Sequence, residues 1–204
     1  MNHRVNNVQD LHDDAFYLYN SLVIGEGASA DSILYNLNQG IDNLKNNWKG
    51  IDAGKRIQDL IKVYNAMVAV RNALASLAVD SSKVAANYRE VQNANGAGLA
   101  MFTTLSFETK SILGDYSDNS DMIDINPSAE NGKNFIDNAN NYLEMFSVSV
   151  KGKYDEIMEN WLAGTGRESA EDAFDSFVSS VNLYKQTLSD VSNNVKIALQ
   201  NYGF

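Results

Sequence analysis

Apolar residues recur every three or four positions along most of this chain, and that spacing predicts amphipathic α-helices. Stretches with this pattern cover residues 8–23, 33–46, 52–91, 127–160 and 165–202. Gly25 and Gly27 separate the first two stretches, because two glycines within three residues cost roughly 2 kcal/mol in a helix interior. The pattern therefore predicts an all-α protein with long helices and a break near residue 26.

The apolar pattern is present in two copies. Positions after Trp48 recur 114 residues later, after Trp161, and positions before Trp48 recur 113 residues later. The matched pairs are Leu60/Phe174, Val63/Phe177, Met67/Val181, Val70/Tyr184, Leu74/Leu188, Leu77/Val191, Val84/Ala198, Tyr88/Tyr202, Ile33/Phe146, Leu37/Val150, Ile41/Tyr154 and Leu44/Ile157. The one-residue difference falls in the turns, where Trp48-x-Gly50 corresponds to Trp161-x-x-Gly164. A repeat of this kind predicts a duplicated helical hairpin.

The repeat divides the chain into three parts. We expect a first hairpin with an N-terminal extension in residues 1–98, a linker in 99–126 and a second hairpin in 127–204. Each hairpin carries one apolar stripe by this pattern, so each needs a partner to bury it. The sequence therefore predicts two tandem hairpins packed as an intramolecular antiparallel four-helix bundle.

Local signals place the ends of these helices. Asp52 is the expected N-cap of the helix after the first turn, and the glycine-rich residues 93–98 are expected to end it. Residues 99–113 suit either a further helical piece or a strand, and 115–124 form an acidic loop. Asn126 as N-cap, with Pro127 in the first turn, opens the next helix.

Composition excludes several classes of function. The net charge is −10, of which residues 1–102 contribute −1 and residues 103–204 contribute −9. This charge disfavours binding to nucleic acid or to an anionic membrane. The chain has no cysteine, so disulfides and thiolate sites are excluded. The most apolar run, 66–79, is interrupted by Arg71 and is too short to span a membrane. Residues 1–14 lack the apolar core of a Sec signal.

Few residues suit catalysis or metal binding. His3 and His12 are the only histidines, and His12-Asp13-Asp14 is expected to form a solvated helix face rather than a metal site. The aspartates of the acidic loop are three residues apart, a spacing that does not fit a calcium-binding EF-hand. They are Asp115, Asp118, Asp121 and Asp124. We therefore expect no catalytic residues, no cofactor, no metal and no enzymatic activity.

A helix, a Trp-x-Gly turn and a second helix within about one hundred residues resemble the WXG family of ESAT-like proteins, substrates of type VII (ESX) secretion. The resemblance covers about 31–91 and 128–204. It implies that Trp48, Gly50, Trp161 and Gly164 form the turns and contact secretion partners. The family's Tyr-x-x-x-Asp/Glu export signal does not follow either hairpin, since Gln92 stands four residues after Tyr88.

The resemblance implies a bacterial, non-enzymatic protein, exported by a leaderless route or held in the cytoplasm before export. Its expected partners are the secretion machinery or a cognate effector, with no nucleic acid and no stable membrane span. The two hairpins would form an intramolecular pseudo-dimer, and further self-association stays open. One alternative is a membrane-acting or pore-forming protein that uses 99–105 with a hinge at Gly96 and Gly98. A structural helical adaptor is another.

Overall fold

A computed structural model describes residues 4–121, 123–163 and 165–204 of the chain. Within these ranges the protein is mostly helical, as predicted. The α-helices are α1 (Val8–Tyr17), α2 (Ala30–Asn47), α3 (Ile51–Ala94), α4 (Ala129–Asn160) and α5 (Thr165–Asn201), and a π-helical turn at Leu18–Val23 follows α1. Four short strands accompany them: β1 (Arg4–Val5), β2 (Trp48–Lys49), β3 (Asp124–Ile125) and β4 (Trp161–Ala163).

The predicted break before α2 is confirmed. Ser29 occupies the N-cap of α2, where its hydroxyl accepts the N–H of Ser32 at 3.2 Å. The same hydroxyl donates to the carbonyl of Gly25 at 2.6 Å. These contacts satisfy polar groups that a helix break leaves without helical partners, so the break is a specific local structure.

Helices α2 and α4 pack against each other in antiparallel directions at a pair of glycines. A Cβ on Gly40 would lie 3.0 Å from a side-chain carbon of Ile136, and a Cβ on Gly132 would lie 2.8 Å from Asn43 Oδ1. That oxygen accepts the backbone N–H of Gly132 at 3.1 Å. The missing side chains therefore let the helices approach closely, and Asn43 caps the first turn of α4 from a neighbouring helix.

Aromatic rings join α4 to α5. Phe146 meets Phe177 edge to face with ring centroids 5.8 Å apart, and Tyr154 stacks on Phe174 at 4.0 Å. Helix α5 also packs on α3, which in turn packs on α2 and α1. None of the helices in the described ranges combines the length and apolar character that a membrane crossing requires.

Most positions of the predicted repeat are buried. The fully or largely buried members are Ile33, Leu37, Ile41, Leu44, Leu60, Val63, Met67, Val70, Leu74, Leu77, Val84, Phe146, Val150, Tyr154, Ile157, Phe174, Phe177, Leu188 and Val191. Tyr88, Val181, Tyr184 and Ala198 are half-buried. The prediction is wrong for Tyr202, which is 45% exposed because α5 ends at Asn201.

Helix α3 buries more than the single stripe that the repeat predicts. Ile61, Val68, Ala75 and Val79 are also buried, although they lie off that stripe. Helices α1, α2 and α5 all contact α3, so the helix has few solvent-facing positions along its middle. The apolar pattern underestimated the number of buried residues in α3, because a helix that is surrounded by other helices has no single polar face.

Residues 99–121, which we name the α3 strap, lie along α3 without helix or strand structure. Neither sequence alternative for 99–113, helix or strand, is therefore correct. The strap runs antiparallel to α3, since Leu105 contacts Ser82 while Tyr116 contacts Gln58. Polar side chains of α3 form hydrogen bonds with the main chain of the strap. These bonds pair backbone N–H and C=O groups that would otherwise require a helix or a strand ladder.

Helix α4 begins at Ala129, two residues later than the sequence predicted. The N-cap of α4 is Ser128, so the expectation that Asn126 occupies this position is wrong. The Asn126 side-chain oxygen instead accepts the N–H of Ser128 at 2.9 Å in the turn before the helix. The N–H of Ala129 bonds to the carbonyl of Asn126 three residues back, so the chain first makes a tighter turn. The backbone N–H of Asn126 is already bonded to Asn47, which holds this residue outside the helix.

Candidate functional site

The first predicted turn joins α2 to α3 through three residues. Trp48 is extended and only 5% exposed, and Lys49 completes β2. Gly50 then has a φ of +113°, a conformation that side chains disfavour, so the glycine is required by the reversal. Trp48 and Gly50 therefore both lie in the turn between α2 and α3.

A short antiparallel ladder closes the first turn. Trp48 lies opposite Ile125, and Lys49 lies opposite Asp124. The N–H of Asn126 extends the ladder by donating to the carbonyl of Asn47 at 2.8 Å. The end of α2 is therefore joined to the segment that leads into α4, in the other half of the chain.

The second turn is closed in the same way. Trp161 is 1% exposed and lies opposite Val5, where β4 pairs with β1. The N–H of Asn6 donates to the carbonyl of Asn160 at 3.0 Å, and its side chain donates to the carbonyl of Glu159 at 2.8 Å. Gly164, the predicted turn glycine of this copy, lies outside the described residues.

The structure does not bring the two turns together. The Trp48 turn lies beside the start of α4, and Trp161 follows its end. Because α4 has 32 residues, the turns are separated by about 48 Å at 1.5 Å per residue. Two separate corners of the molecule therefore each carry a buried tryptophan closed by a two-strand ladder.

Sequence reasoning missed the strands that close the turns. β1 precedes α1 and β3 precedes α4, and each strand is a charged residue and an apolar residue followed by an asparagine. The two segments are Arg4-Val5-Asn6 and Asp124-Ile125-Asn126. This shared tripeptide was the available signal, but two-residue strands are too short for a periodicity to identify.

A carboxylate from the α3 strap completes the first turn. Asp118 accepts the N–H of Ser120 at 2.9 Å and the N–H of Gly50 at 3.1 Å. These two donors, with the nearby charge of Lys49, lower the pKa of Asp118 below its usual range. Gly50 occupies the N-cap of α3, so the expectation that Asp52 caps this helix is wrong, and the capping carboxylate comes from Asp118.

A shallow groove of ≈ 170 Å³ lies beside Trp48. Ile123 and Ile197 line it together with asparagines of α5, and both isoleucines are exposed. The hydroxyl of Tyr202 donates to the carbonyl of Ile123 at 2.6 Å and holds that segment against α5. The groove offers apolar surface, the amide groups of these asparagines and the charged side chains of Lys49 and Asp52.

The histidine and aspartate residues considered as metal ligands each contact a different part of the protein. Within the described ranges, no group of three or more histidine, aspartate or glutamate residues is arranged to hold a metal. His12 is not on a solvated face as expected, because its ring stacks on Phe102 of the strap with centroids 4.1 Å apart. Asp115 accepts from Gln58, while Asp118 caps α3.

The chain matches no protein-family profile, no curated protein and no solved structure. Function is therefore argued from the two tryptophan turns themselves. Their geometry is that of closed, buried corners with adjoining apolar surface.

Proposed function

We propose that this chain is a non-enzymatic, tandem WXG-like protein of a type VII (ESX) secretion system, exported itself or escorting an effector. The observation that supports the proposal most directly is the shared construction of the two turns. In each, a buried tryptophan follows a helix and pairs with a two-residue strand distant in the sequence, β3 for Trp48 and β1 for Trp161. Turns built alike in two copies are what a duplicated Trp-x-Gly hairpin would produce.

We further infer that α2 and α3 form one hairpin, α4 and α5 form the other, and the two pack as one antiparallel four-helix bundle. The contacts of α2 with α4 and of α3 with α5 support this arrangement. In the family that the chain resembles, a second chain supplies the partner hairpin. Here the second copy supplies it in cis, as an intramolecular pseudo-dimer.

The partner contact is assigned to the Trp48 corner. Ile51, Ile123 and Ile197 are exposed around it, and the groove beside Trp48 opens between the latter two. Single exposed apolar residues are common on protein surfaces, whereas several grouped around a groove are typical of a site that binds another protein. The partner is the secretion machinery or a cognate effector.

Secretion from the native organism tests the proposal. If the protein is exported, we expect it in the culture supernatant of cells that have the secretion ATPase and not in that of cells that lack the ATPase. If it escorts an effector, we expect the effector to co-purify with it only from cells that have the ATPase. Ile197→Ser should reduce export or effector retention, because it removes apolar surface at the Trp48 groove. Val148→Ser on α4 is the matched control, since Val148 is 73% exposed and far from that groove. Equal export without the ATPase, and no effector bound, would refute the proposal.

A further inference from the structure

Four amide side chains on α3 bind the strap, and one of them, Asn93, binds Leu99 at the end of the helix at 2.7 and 2.8 Å. The other three are Gln58, Asn65 and Asn72, spaced seven residues apart, and so lie on one face of the helix. Asn72 accepts the N–H of Lys110 at 2.9 Å and donates to its carbonyl at 3.0 Å. Asn65 binds Leu113 in the same two-point manner, at 2.8 and 2.9 Å. We name these three side chains the amide face.

The third amide, Gln58, binds the strap three residues beyond Leu113, which continues the spacing of the first two. Gln58 accepts the N–H of Tyr116 at 2.6 Å and donates to the carboxylate of Asp115 at 2.8 Å. Seven helical residues advance about 10.5 Å, while three extended residues advance about 9–10 Å. Strap residues three apart therefore meet amides seven apart, and the fit repeats along the helix.

This recognition is largely independent of the strap's side chains. The N–H and C=O groups that Asn65 and Asn72 bind are present in every residue except proline, which lacks the N–H. Ile112, between the two bound residues, is 67% exposed. Phe102, Leu105, Leu113 and Tyr116 are only half-buried against the core. The face therefore requires an extended chain with spaced apolar side chains, and not this particular sequence.

Among the described residues, no segment covers the corresponding face of α5 as the strap covers α3. The residues 114 positions after Gln58, Asn65 and Asn72 are Asp172, Ser179 and Gln186, and those after Ile61, Val68 and Val79 are Asp175, Asn182 and Asn193. All six are polar and exposed. The amides with their apolar neighbours are thus a specific property of α3 and not a consequence of the hairpin pattern.

The other end of the strap is held by ring contacts as well as by the two hydrogen bonds between Asn93 and Leu99. Phe102 lies between the ring of His12 and the guanidinium of Arg89, 4.1 and 3.9 Å from its centroid. Two buried atoms of these neighbours, His12 Nε2 and Arg89 Nε, and Oε1 of Gln92 near the end of α3 have no hydrogen-bond partner among the described residues. Gly96 and Gly98, both exposed, connect this end to α3 with φ values of +89° and +64°. These unpartnered atoms lower the cost of lifting Phe102 from α3, whereas Leu99 stays bound to Asn93.

We propose that the amide face of α3 is a binding site for an extended peptide, filled in cis by the strap and filled in trans by an extended segment of a partner protein. The partner segment has main-chain N–H groups available at two or three positions three residues apart, and apolar side chains at a similar spacing. This inference goes beyond the proposed function and holds whether or not the chain is exported.

Gly54→Ala is designed to lift the strap while favouring α3. A Cβ at Gly54 would lie 2.6 Å from the backbone nitrogen of Asp118, so the strap must move. Alanine is otherwise the better helix former. Gly152→Ala on α4 is the matched control, since a Cβ there meets no atom within 4 Å. The probe is a fluorescein-labelled peptide of residues 103–116, which ends before Asp118 and so avoids the contact with position 54; it is added to the full chain and followed by anisotropy.

We expect the peptide to bind the Gly54→Ala chain at least tenfold more tightly than the wild type or the Gly152→Ala chain. N-methylation of the peptide at Leu113 removes the N–H that Asn65 accepts and should weaken binding about tenfold. N-methylation at Ile112, whose N–H meets none of the three amides, should have little effect. No binding to the Gly54→Ala chain, or equal binding of both methylated peptides, would overturn the proposal.

Hydrogen exchange on the wild-type chain gives a second test that does not depend on a variant. The amides of Lys110, Leu113 and Tyr116 should exchange much faster than the amides of buried α3 residues, because the strap opens without global unfolding. If these three amides exchange only as slowly as the α3 core, the strap does not lift, and the proposal fails.

Discussion

The backbone N–H of Gly50 donates to the carboxylate of Asp118 at 3.1 Å, although the two residues are 68 positions apart. The glycine belongs to the first tryptophan turn, and the aspartate belongs to the α3 strap. One contact therefore completes the start of α3 and fixes the end of the strap. It also makes the turn sensitive to the charge of a distant side chain.

Acid should weaken this contact. The pKa of Asp118 is lowered in the folded protein by the donated N–H groups and by Lys49. The stability that the charged carboxylate contributes is therefore fully present above its unfolded pKa of about 3.9 and is lost as pH falls through the lower folded value. We expect Asp118→Ala to destabilise the protein at pH 7 and to have little effect near pH 2. Urea unfolding at both pH values measures this difference.

Asp121→Ala is the control for that experiment, because Asp121 is an exposed aspartate of the same acidic loop. Its effect should be small at both pH values. A loss of stability in Asp118→Ala that is as large at pH 2 as at pH 7 would contradict the role of the ionised carboxylate.

Removing Asp31 should leave a buried charge without its partner. Arg71 is 4% exposed, and its Nε lies 3.0 Å from Asp31 Oδ1. Breaking a buried ion pair on one side costs about 3 kcal/mol or more, because the other charge stays away from water. We expect Asp31→Ala to lower the free energy of unfolding by about this amount in urea titrations.

The matched control is Asp155→Ala. Asp155 pairs with Lys151 at 2.6 Å, but both side chains are more than half exposed. An exposed pair contributes about 0.5 kcal/mol or less. Equal effects of the two aspartate variants would show that the burial of Arg71 does not decide the cost.

Truncation of a core aromatic in the second half should unfold both halves together. Phe177 is almost completely buried against Phe146, and α5 also packs on α3. Phe177→Ala should cost about 3–5 kcal/mol. In a Trp161→Phe background, the fluorescence of Trp48 and the helical circular dichroism should report the same single transition.

Asp175→Ala, two residues away on the exposed side of α5, should change the stability by no more than about 0.5 kcal/mol. Separate melting steps for the two halves, with the Trp48 signal unchanged by Phe177→Ala, would show that the hairpins fold independently.

Removal of residues 1–6 should expose Trp161. Val5 lies opposite this tryptophan, and Asn6 donates two hydrogen bonds to the end of α4. Losing the half-buried Val5 and these bonds should cost about 1–3 kcal/mol. In a Trp48→Phe background, the emission of Trp161 should shift to longer wavelength. Removal of Gly203 and Phe204, both exposed, is the control and should leave that emission unchanged.

The sequence by itself determined the helices and most of the core. Apolar spacing of three and four placed the ends of α2, α3 and α4 within about three residues, and positions such as Leu60 and Phe174 are buried as predicted. This worked because a heptad pattern fixes which residues share a helix face, whatever that face meets. The tryptophans and Gly50 were identified for a similar reason, since a tight reversal between long helices restricts the residues allowed there.

The tertiary structure alone decided how the turns are closed and how α3 is covered. The capping of Gly50 by Asp118, the pairing of Val5 with Trp161 and the binding of Leu113 by Asn65 all join residues distant in the sequence. A strap without regular structure has no periodicity, and an amide that binds a main chain selects no particular sequence. Such contacts are fixed only when the helices place donors and acceptors at matching distances.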